Sequence, residues 1–259
     1  MDLKMRLVDT HSHIFLEEFD NDIDEVIKRS IDAGVDRIVL PNIDSSTFKR
    51  LHLLTLKYPE YCFPLMGLHP THVKGNYEIE LEKVLNQFNY YDYKGIGEIG
   101  IDLYWDKTHL NEQIVVFEQQ LSFALSKNLP VVIHARDSLD VIFASISKAE
   151  FKGLKGIFHA FTGNIDQAEK IINGGFMLGI GGIVTFKNSN LAEIVKSVGL
   201  ENIVLETDSP YLAPMPFRGK RNESCYIRII AYRISEITGE SVDRVAEITT
   251  SNAVKLFGL

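Results

Sequence analysis

Short runs of apolar and β-branched residues alternate along this chain with amphipathic stretches. The runs are apolar at successive positions, which is typical of strands covered on both faces in a parallel sheet wrapped by helices. They predict eight strands, over residues 6–10, 37–41, 62–68, 95–101, 130–134, 156–159, 176–180 and 202–206.

Helical periodicity appears between these strands. In residues 23–31 the apolar side chains recur at i, i+3, i+4 and i+8, which places them on one helix face. The segment from Asp20 to Asp22 offers N-cap oxygens before this face, and Gly34 supplies the left-handed residue that often ends a helix. Similar patterns predict helices over residues 110–127, 137–149, 165–173, 191–198, 226–237 and 242–256.

The repeated strand–helix unit predicts a single-domain (β/α)8 TIM barrel over residues 1–259. An open doubly wound sheet is the alternative, because it also alternates strand and helix. Low-complexity tracts and Pro/Gly/Ser-rich linkers are absent from the sequence, so no domain boundary is indicated. In a barrel, functional residues are expected at the carboxyl ends of the strands.

Composition narrows the function classes. The sequence is 45% hydrophobic and 24% charged, as in globular proteins, and its net charge of −8 excludes a protein held to nucleic acid mainly by a cationic surface. No apolar run reaches the roughly 20 residues that span a bilayer, and residues 1–13 lack a signal-peptide core. With only two cysteines, the chain is not expected to form a disulfide scaffold or a Cys-based zinc site. We expect a cytoplasmic location and no membrane partner.

Ionisable residues gather where the predicted strands end. Five of the eight histidines lie there together with carboxylates, the full set being Asp9, His11, His13, His69, Glu98, His134, His159 and Asp208. Because these strand ends meet at one rim of a barrel, we expect the side chains to converge.

Taken alone, each of these residues could also have a purely structural role. His11 and His13 share a face of an extended segment and could bind one metal, but such a pair also occurs at a surface or in a core. Glu98 lies among glycines and isoleucines, where it could bridge cations, pair with a lysine or cap a loop. His134 and His159 could be core histidines, and Asp208 could be an N-cap.

Taken together, four histidines and two carboxylates favour a site for two divalent cations that activates water. Imidazole and carboxylate ligands suit Zn²⁺, Mn²⁺ or Fe. Glu206, two residues before Asp208, is a candidate for holding a ligand in place.

The sequence resembles the TatD family of metal-dependent deoxyribonucleases in the amidohydrolase superfamily. The resemblance rests on the strings VDTHSH, GLHP, GEIGID, VIHARD, HAFTGN, LETDSPYLAP and RGKRNE, which occur in the family's order from residue 7 onwards. It implies a TIM barrel, two divalent metal ions (Zn, Mg or Mn) and hydrolysis of DNA phosphodiesters. Motif by motif, it implies the metal ligands His11, His13, Glu98, His134, His159 and Asp208.

The resemblance also implies that His69 contacts substrate. The chain departs from the family pattern at Ser224, where a proline is expected after Asn-Glu, which leaves the substrate rim less certain than the ligands. Glu98 occupies the bridging position, and the nearest lysine, Lys94, precedes the strand, unlike the carbamylated-lysine hydrolases of the superfamily.

The mechanistic hypothesis makes Glu98 and Asp208 the catalytic residues. Glu98 would bridge the two cations, with His11, His13 and Asp208 at one and His134 and His159 at the other. Asp208 would accept a proton from the attacking water.

Binding of DNA by an acidic protein requires local positive charge. Arg218, Lys220 and Arg221 follow the last predicted strand, and Arg136 lies beside His134, so we expect these residues to bind phosphates. Their alternative is a solvated loop. An aromatic side chain would stack a base, the candidates being Tyr211, Phe217 and Trp105. Such a compact cluster favours 3′→5′ exonuclease action on single-stranded ends.

Two other functions stay open at this point. One is a metal-dependent hydrolase of an amide, a lactone or an aminoacyl-tRNA ester, in which the cations polarise a carbonyl. The other is a non-catalytic binding module with structural metal, which the absence of a Cys-rich ligand set disfavours.

Overall fold

The computed structural model describes residues 5–105 and 107–259, over which strands and helices alternate. The strands are β1 (Leu7–Asp9), β2 (Val35–Pro41), β3 (Cys62–Leu65), β4 (Ile96–Asp102), β5 (Val131–Arg136), β6 (Gly156–Phe158), β7 (Phe176–Ile180) and β8 (Ile203–Leu205). The α-helices are α1 (Ile23–Asp32), α2 (Phe48–Lys57), α3 (Tyr77–Asn86), α4 (Leu110–Lys127), α5 (Leu139–Ile146), α6 (Ile165–Asn173), α7 (Leu191–Val198), α8 (Ile227–Thr238) and α9 (Val242–Phe257).

Every pair of strands that is joined by a ladder is parallel. Continuous ladders join β1 to β3 and β4 to β8. Individual backbone hydrogen bonds cross the two seams: Gly97 N–H donates to Met66 O (3.2 Å) between β3 and β4, and Thr10 N–H donates to Leu205 O (3.0 Å) beside β8 and β1. The fold is a (β/α)8 barrel, as the alternation of strands and helices predicts.

Apolar side chains fill the barrel interior. One buried cluster takes an inward residue from most of the strands together with side chains of α9, its buried members being Val8, Val39, Leu65, Val132, Ile157, Val204, Ala253 and Phe257. Residues of α9 also bond the amino ends of strands, since Thr250 donates to Arg6 O and Asn252 to Ile203 O. The last helix therefore covers the amino end of the barrel, and the carboxyl end stays accessible.

Two helices are not indicated by the hydrophobic pattern. In α2, Leu53 and Leu56 are exposed, and in α3 the same is true of Ile79. Exposed apolar residues blur the single apolar face on which helical periodicity depends. The helix predicted over residues 137–149 is shorter because Asp137 has a left-handed backbone (φ 55°), which cannot continue a helix. None of the helices formed by the described residues combines the length and apolarity that crossing a membrane requires.

Candidate metal centre at the carboxyl end of the barrel

A bulge in β4 turns Glu98 into the barrel. Ile96 pairs with Val131 and Ile99 with Ile133, so β4 has one residue more than β5 over this stretch. Gly97 lies where a side chain would collide, because an added Cβ would stand 2.9 Å from Val132 Cβ. The bulge therefore places a carboxylate, only 2% exposed, at the centre of the rim.

One oxygen of Glu98 faces the two histidines that follow β1. Glu98 Oε2 lies 3.1 Å from His11 Nε2 and 3.4 Å from His13 Nε2. The two ring nitrogens are 3.0 Å apart, and Asp208 Oδ1 lies 3.6 Å and 3.7 Å from them. Four potential ligand atoms from three separate segments thus surround one point.

The other oxygen of Glu98 faces histidines from β3, β5 and β6. Glu98 Oε1 lies 2.8 Å from His134 Nδ1 and 3.3 Å from Nε2 of both His69 and His159. All six residues expected to hold metal, and His69, therefore meet around a single carboxylate.

This donor set fits divalent cations. Ligand atoms at about 2.0–2.1 Å from a tetrahedral metal stand about 3.4 Å from one another, which is close to the separations of 3.0–3.7 Å in the cluster of His11, His13, Glu98 and Asp208. A carboxylate offers no proton, and a neutral imidazole only one, so hydrogen bonds alone cannot satisfy so many facing lone pairs. Triads that could hold an ion are His11/Glu98/His159, His11/His13/Asp208 and His69/Glu98/His134.

Hydrogen bonding separates His69 from the other histidines. The backbone N–H of Thr71 donates to His69 Nδ1 at 3.2 Å, so the proton of the neutral ring lies on Nε2. That nitrogen faces Glu98 and acts as a donor, which favours a contact to an anion over ligation of a metal.

For several rim residues, burial and the neighbouring charges shift the pKa in opposite directions. Burial raises the pKa of Asp208 to about 6, while the charges of His159 and His13 oppose this. Burial also lowers the pKa of His69 to about 4, against the attraction of Glu98. Burial alone would raise the pKa of Glu98, but the imidazoles of His69 and His159, first among others, hold it well below its ordinary value. Glu98 is therefore ionised and His69 neutral at pH 7.

Two rim residues have left-handed backbones although neither is glycine. Asp208 has φ 58° and Ala160, directly after His159, has φ 44°. Backbone hydrogen bonds hold both, since Asp208 N–H donates to His11 O at 2.8 Å and Ala160 N–H to Glu206 Oε1 at 2.6 Å. Such conformations cost about 1–3 kcal/mol each and cluster at functional sites.

The cluster of histidines and carboxylates around Glu98 opens into a cavity of about 700 Å³. Its lining includes His69 and Arg136, two of the residues predicted to bind substrate. The Arg136 guanidinium lies 3.8 Å from the centre of the Tyr104 ring and 5.4 Å from that of Trp105. Trp105 is 70% exposed and Tyr211, on another side of the cavity, 50%. The mouth thus combines a cation with open aromatic faces.

The structure places the other predicted phosphate-binding residues elsewhere. Of the described residues that line the cavity, none comes from residues 217–221. Arg221 binds both oxygens of Asp22 at 2.7 Å and Glu223 at 2.9 Å. Arg218 lies over the Phe186 ring and Lys220 beside that of Phe217.

The predicted N-cap role of Asp22 is also altered by this network. Asp22 is the residue before α1, but its carboxylate binds Arg29 and Arg221 instead of capping the helix. Gly34 has the expected left-handed backbone, with φ 91°.

Three acidic residues contact the expected metal ligands or residues beside them. Asp102, at the end of β4, lies 2.9 Å from His134 Nε2 through Oδ2. Glu206 Oε1 lies 3.3 Å from His159 Nδ1, and Asp9 accepts from the backbone and hydroxyl of Thr207. Asp102 is not among the residues predicted from the sequence, although it stands at i+4 from Glu98 and so on the same strand face.

Two further residues complete the account of the rim. His72 is the last residue of a short 3-10 helix after β3, and it lines the cavity. Its position in the sequence does not match the end of a predicted strand. Ser224, the departure from the family pattern, is fully buried and lies 3.3 Å from the Ser12 hydroxyl, so it supports the His11–His13 segment from inside.

Comparisons with known proteins identify the family of the chain. The family model described as TatD related DNase matches residues 8–258. Over 252 residues the chain is 36% identical to YabD of Bacillus subtilis (strain 168), an uncharacterized metal-dependent hydrolase, covering 97% of this chain and 98% of the relative. It is 33% identical to tatdn3 of Danio rerio, provisionally named a deoxyribonuclease, over 96% of both chains.

Among solved structures, the crystal structure of the TatD homologue YjjV from Escherichia coli K12 superimposes with a TM-score of 0.92. That match has 26% identity and covers 99% of this chain and 100% of the other.

Proposed function

The chain belongs to the TatD family of metal-dependent hydrolases, and from this premise we propose that it is a deoxyribonuclease that hydrolyses DNA phosphodiesters with two divalent metal ions. We further propose that it removes nucleotides from single-stranded 3′ ends. The observation that supports this most is Glu98, whose two oxygens each face a separate group of imidazoles. This is the arrangement of a carboxylate shared by a pair of cations.

The proposed ligands divide between the two oxygens of Glu98. His11, His13 and Asp208 would hold one cation together with Oε2, and His134 and His159 would hold the other together with Oε1. When bound, such a pair supplies a water of lowered pKa and stabilises the attacking and leaving oxygens of a displacement at phosphorus. Zn²⁺, Mn²⁺ and Mg²⁺ are the candidates that the ligand types allow.

Asp208 is the proposed proton acceptor. Its carboxyl is largely buried at the cavity wall, where burial raises its pKa and a bound cation would act in the opposite direction. A base with a pKa near the working pH is largely ionised and still basic enough to take a proton from water as the water attacks phosphorus.

Phosphate and base are bound at the cavity mouth in this proposal. His69 donates from Nε2 to a phosphate oxygen, and Arg136 pairs with a backbone phosphate. Trp105 and Tyr211 offer rings on which an unpaired base can stack. Arg218, Lys220 and Arg221 lie outside the cavity lining and would contact only phosphates farther from Glu98. A cation beside open rings favours nucleic acid over an amide or a lactone, and direct assays separate DNA from an aminoacyl-tRNA ester.

We propose a cytoplasmic site of action as well. Cys62 and Cys225 are both free thiols, which fits a reducing compartment.

The test uses the purified full chain on single-stranded oligonucleotides labelled at the 5′ or the 3′ end. Treatment with EDTA should abolish cleavage and Mn²⁺, Mg²⁺ or Zn²⁺ should restore it, with nucleotides released from the 3′ end. Glu98→Gln should lower kcat/KM about 100-fold or more, because the shared carboxylate loses its charge. The control Glu78→Gln changes an exposed glutamate of α3 and should leave kcat/KM unchanged.

The same preparation is assayed on an amide, a lactone and an aminoacyl-tRNA ester. Metal-dependent turnover of one of these, with none on DNA, would contradict the proposed substrate. Wild-type cleavage of DNA by Glu98→Gln would contradict the proposed centre.

A further inference from the structure

We infer that Asp102 is a positioning residue for His134: its carboxylate fixes the ring orientation and tautomer that leave His134 Nδ1 free to bind a cation. The inference rests on the metal site of the proposed function but not on DNA as the substrate. Its basis is a chain of contacts from β4 to β5 at the carboxyl end of the barrel.

The two nitrogens of His134 are divided between two carboxylates. Nδ1 lies 2.8 Å from Glu98 Oε1, on the side of the metal cluster, and Nε2 lies 2.9 Å from Asp102 Oδ2. An ionised carboxylate only accepts hydrogen bonds, so Nε2 must donate to Asp102. A ring that holds a cation through Nδ1 would be neutral, with its proton on Nε2 and its lone pair directed at the cluster.

Asp102 is itself held rigidly. Its side chain is 2% exposed, and its second oxygen, Oδ1, accepts from the backbone N–H of Tyr104 (3.0 Å) and Trp105 (3.2 Å). Its own N–H donates to Gln113 Oε1 at 2.9 Å. These bonds fix the plane of the carboxylate and leave Oδ2 directed at His134. Partners of this kind fix ligand orientation in metal sites.

These contacts make Asp102→Asn a selective variant. The two backbone N–H groups require an oxygen at the Oδ1 position, so the new amide nitrogen must occupy the Oδ2 position. It then presents N–H to His134 Nε2, which can only accept. The ring proton must move to Nδ1, the nitrogen that faces Glu98, while side-chain shape and the bonds to residues 104 and 105 are retained.

The first measurement is metal affinity, by competition with a chromophoric chelator for Zn²⁺ or Mn²⁺. Asp102→Asn should bind roughly 10–100-fold more weakly than the wild type. Asp92→Asn makes the same change at an exposed aspartate and should not alter affinity. Thermal unfolding with excess chelator should be the same for both variants and the wild type, which separates loss of affinity from loss of fold.

The second measurement is the tautomer, read from ¹⁵N spectra of histidine-labelled protein loaded with Zn²⁺. In the wild type the proton of His134 should lie on Nε2, and in Asp102→Asn this signal should disappear. In a His134→Ala background, Asp102→Asn should change affinity no further, because its effect passes through the ring.

Wild-type affinity and an unchanged tautomer in Asp102→Asn would overturn the inference, as would an equal loss of affinity in the His134→Ala background. Failure of the wild type to bind metal would overturn it together with the metal site. Metal binding without DNA cleavage would overturn the deoxyribonuclease proposal alone, and the role of Asp102 would still be decided by affinity and tautomer.

Discussion

Arg221 shows how the partners of a charged residue decide what it can do. Its guanidinium binds Asp22 and Glu223, and Arg29 binds the same two carboxylates. Two cations and two anions therefore join α1 to the segment that follows β8. These contacts favour a stabilising role for Arg221 over phosphate binding.

Acid should weaken this network in a predictable way. The hydrogen bond from Arg221, more than any other contact, lowers the pKa of Asp22 to about 2, from an ordinary value of 3.8. A pKa lowered by folding contributes stability above the ordinary value, and this contribution is lost as the pH falls from about 4 to 2. We expect Asp22→Asn to lower the free energy of unfolding by about 1 kcal/mol at pH 7, since the pair is partly solvent-exposed, and by almost nothing at pH 2.

Urea unfolding at a series of pH values measures this difference, with Asp92→Asn as the control. An equal loss of stability at pH 7 and pH 2 would show that Asp22 does not act through its charge.

Among single residues, the sequence predicts which side chains meet at the rim but not the residues that hold them in place. His11, Glu98 and His134 are recognisable because strand ends converge in a barrel. The ion pair of Arg221 with Asp22 spans 199 positions, and the left-handed backbone of Asp208 follows from bonds to another strand. Such features depend on tertiary contacts, which local patterns do not contain.

Among the elements, β4 has the greatest influence on the site. Its bulge gives Glu98 an inward direction, and Gly97 leaves the space that the bulge requires, because Leu65 and Val132 close in on both sides. In a strand with regular alternation, the successive residues Gly97 and Glu98 would face opposite sides of the sheet, and only one of them could face inward.

Gly97→Ala should therefore damage both stability and the site. The added methyl would lie 2.9 Å from Val132 Cβ and 3.2 Å from Leu65 Cδ1, and overpacking of this kind costs about 1–3 kcal/mol. Urea unfolding in chelator gives the stability, and competition with a chelator gives the accompanying loss of metal affinity.

Gly75→Ala is the matched control, because no atom lies within 4 Å of the Cβ it would gain. Full stability and metal affinity in Gly97→Ala would mean that the bulge is not sterically determined.

All eight strands of the structure fall in the predicted segments, with ends displaced by a few residues. Runs of β-branched residues such as those of β5 and β8 are diagnostic, because only a covered strand tolerates them on both faces. The bulge in β4 has no such signal: the string GEIGID is compatible with regular and bulged strands alike.

The whole molecule is acidic, with a net charge of −8, yet it presents a cation at the cavity mouth. Helix α9 covers the opposite end of the barrel, so substrate can approach the centre only from the rim. The proposed binding of DNA would then depend on local charge at that rim, since the overall field repels DNA.

Arg136→Ala should therefore weaken binding of single-stranded DNA and reduce its salt dependence. Losing one phosphate contact lowers the slope of log K against log salt by about 0.7. Fluorescence anisotropy with a hydrolysis-resistant phosphorothioate oligonucleotide gives both quantities.

Arg233→Ala on α8 is the control, because it changes the net charge equally but removes an arginine paired with Glu236. Equal slopes for Arg136→Ala and the wild type would exclude Arg136 as a phosphate contact.

We propose that imidazoles and carboxylates from separate strands hold a pair of cations, and anomalous diffraction from crystals soaked in Mn²⁺ would locate these cations. We predict two anomalous peaks about 3.5–4 Å apart, one beside each oxygen of Glu98. The first should lie near His11, His13 and Asp208, and the second near His134 and His159. Crystals without a peak at Glu98, or with manganese only at surface carboxylates, would contradict the account.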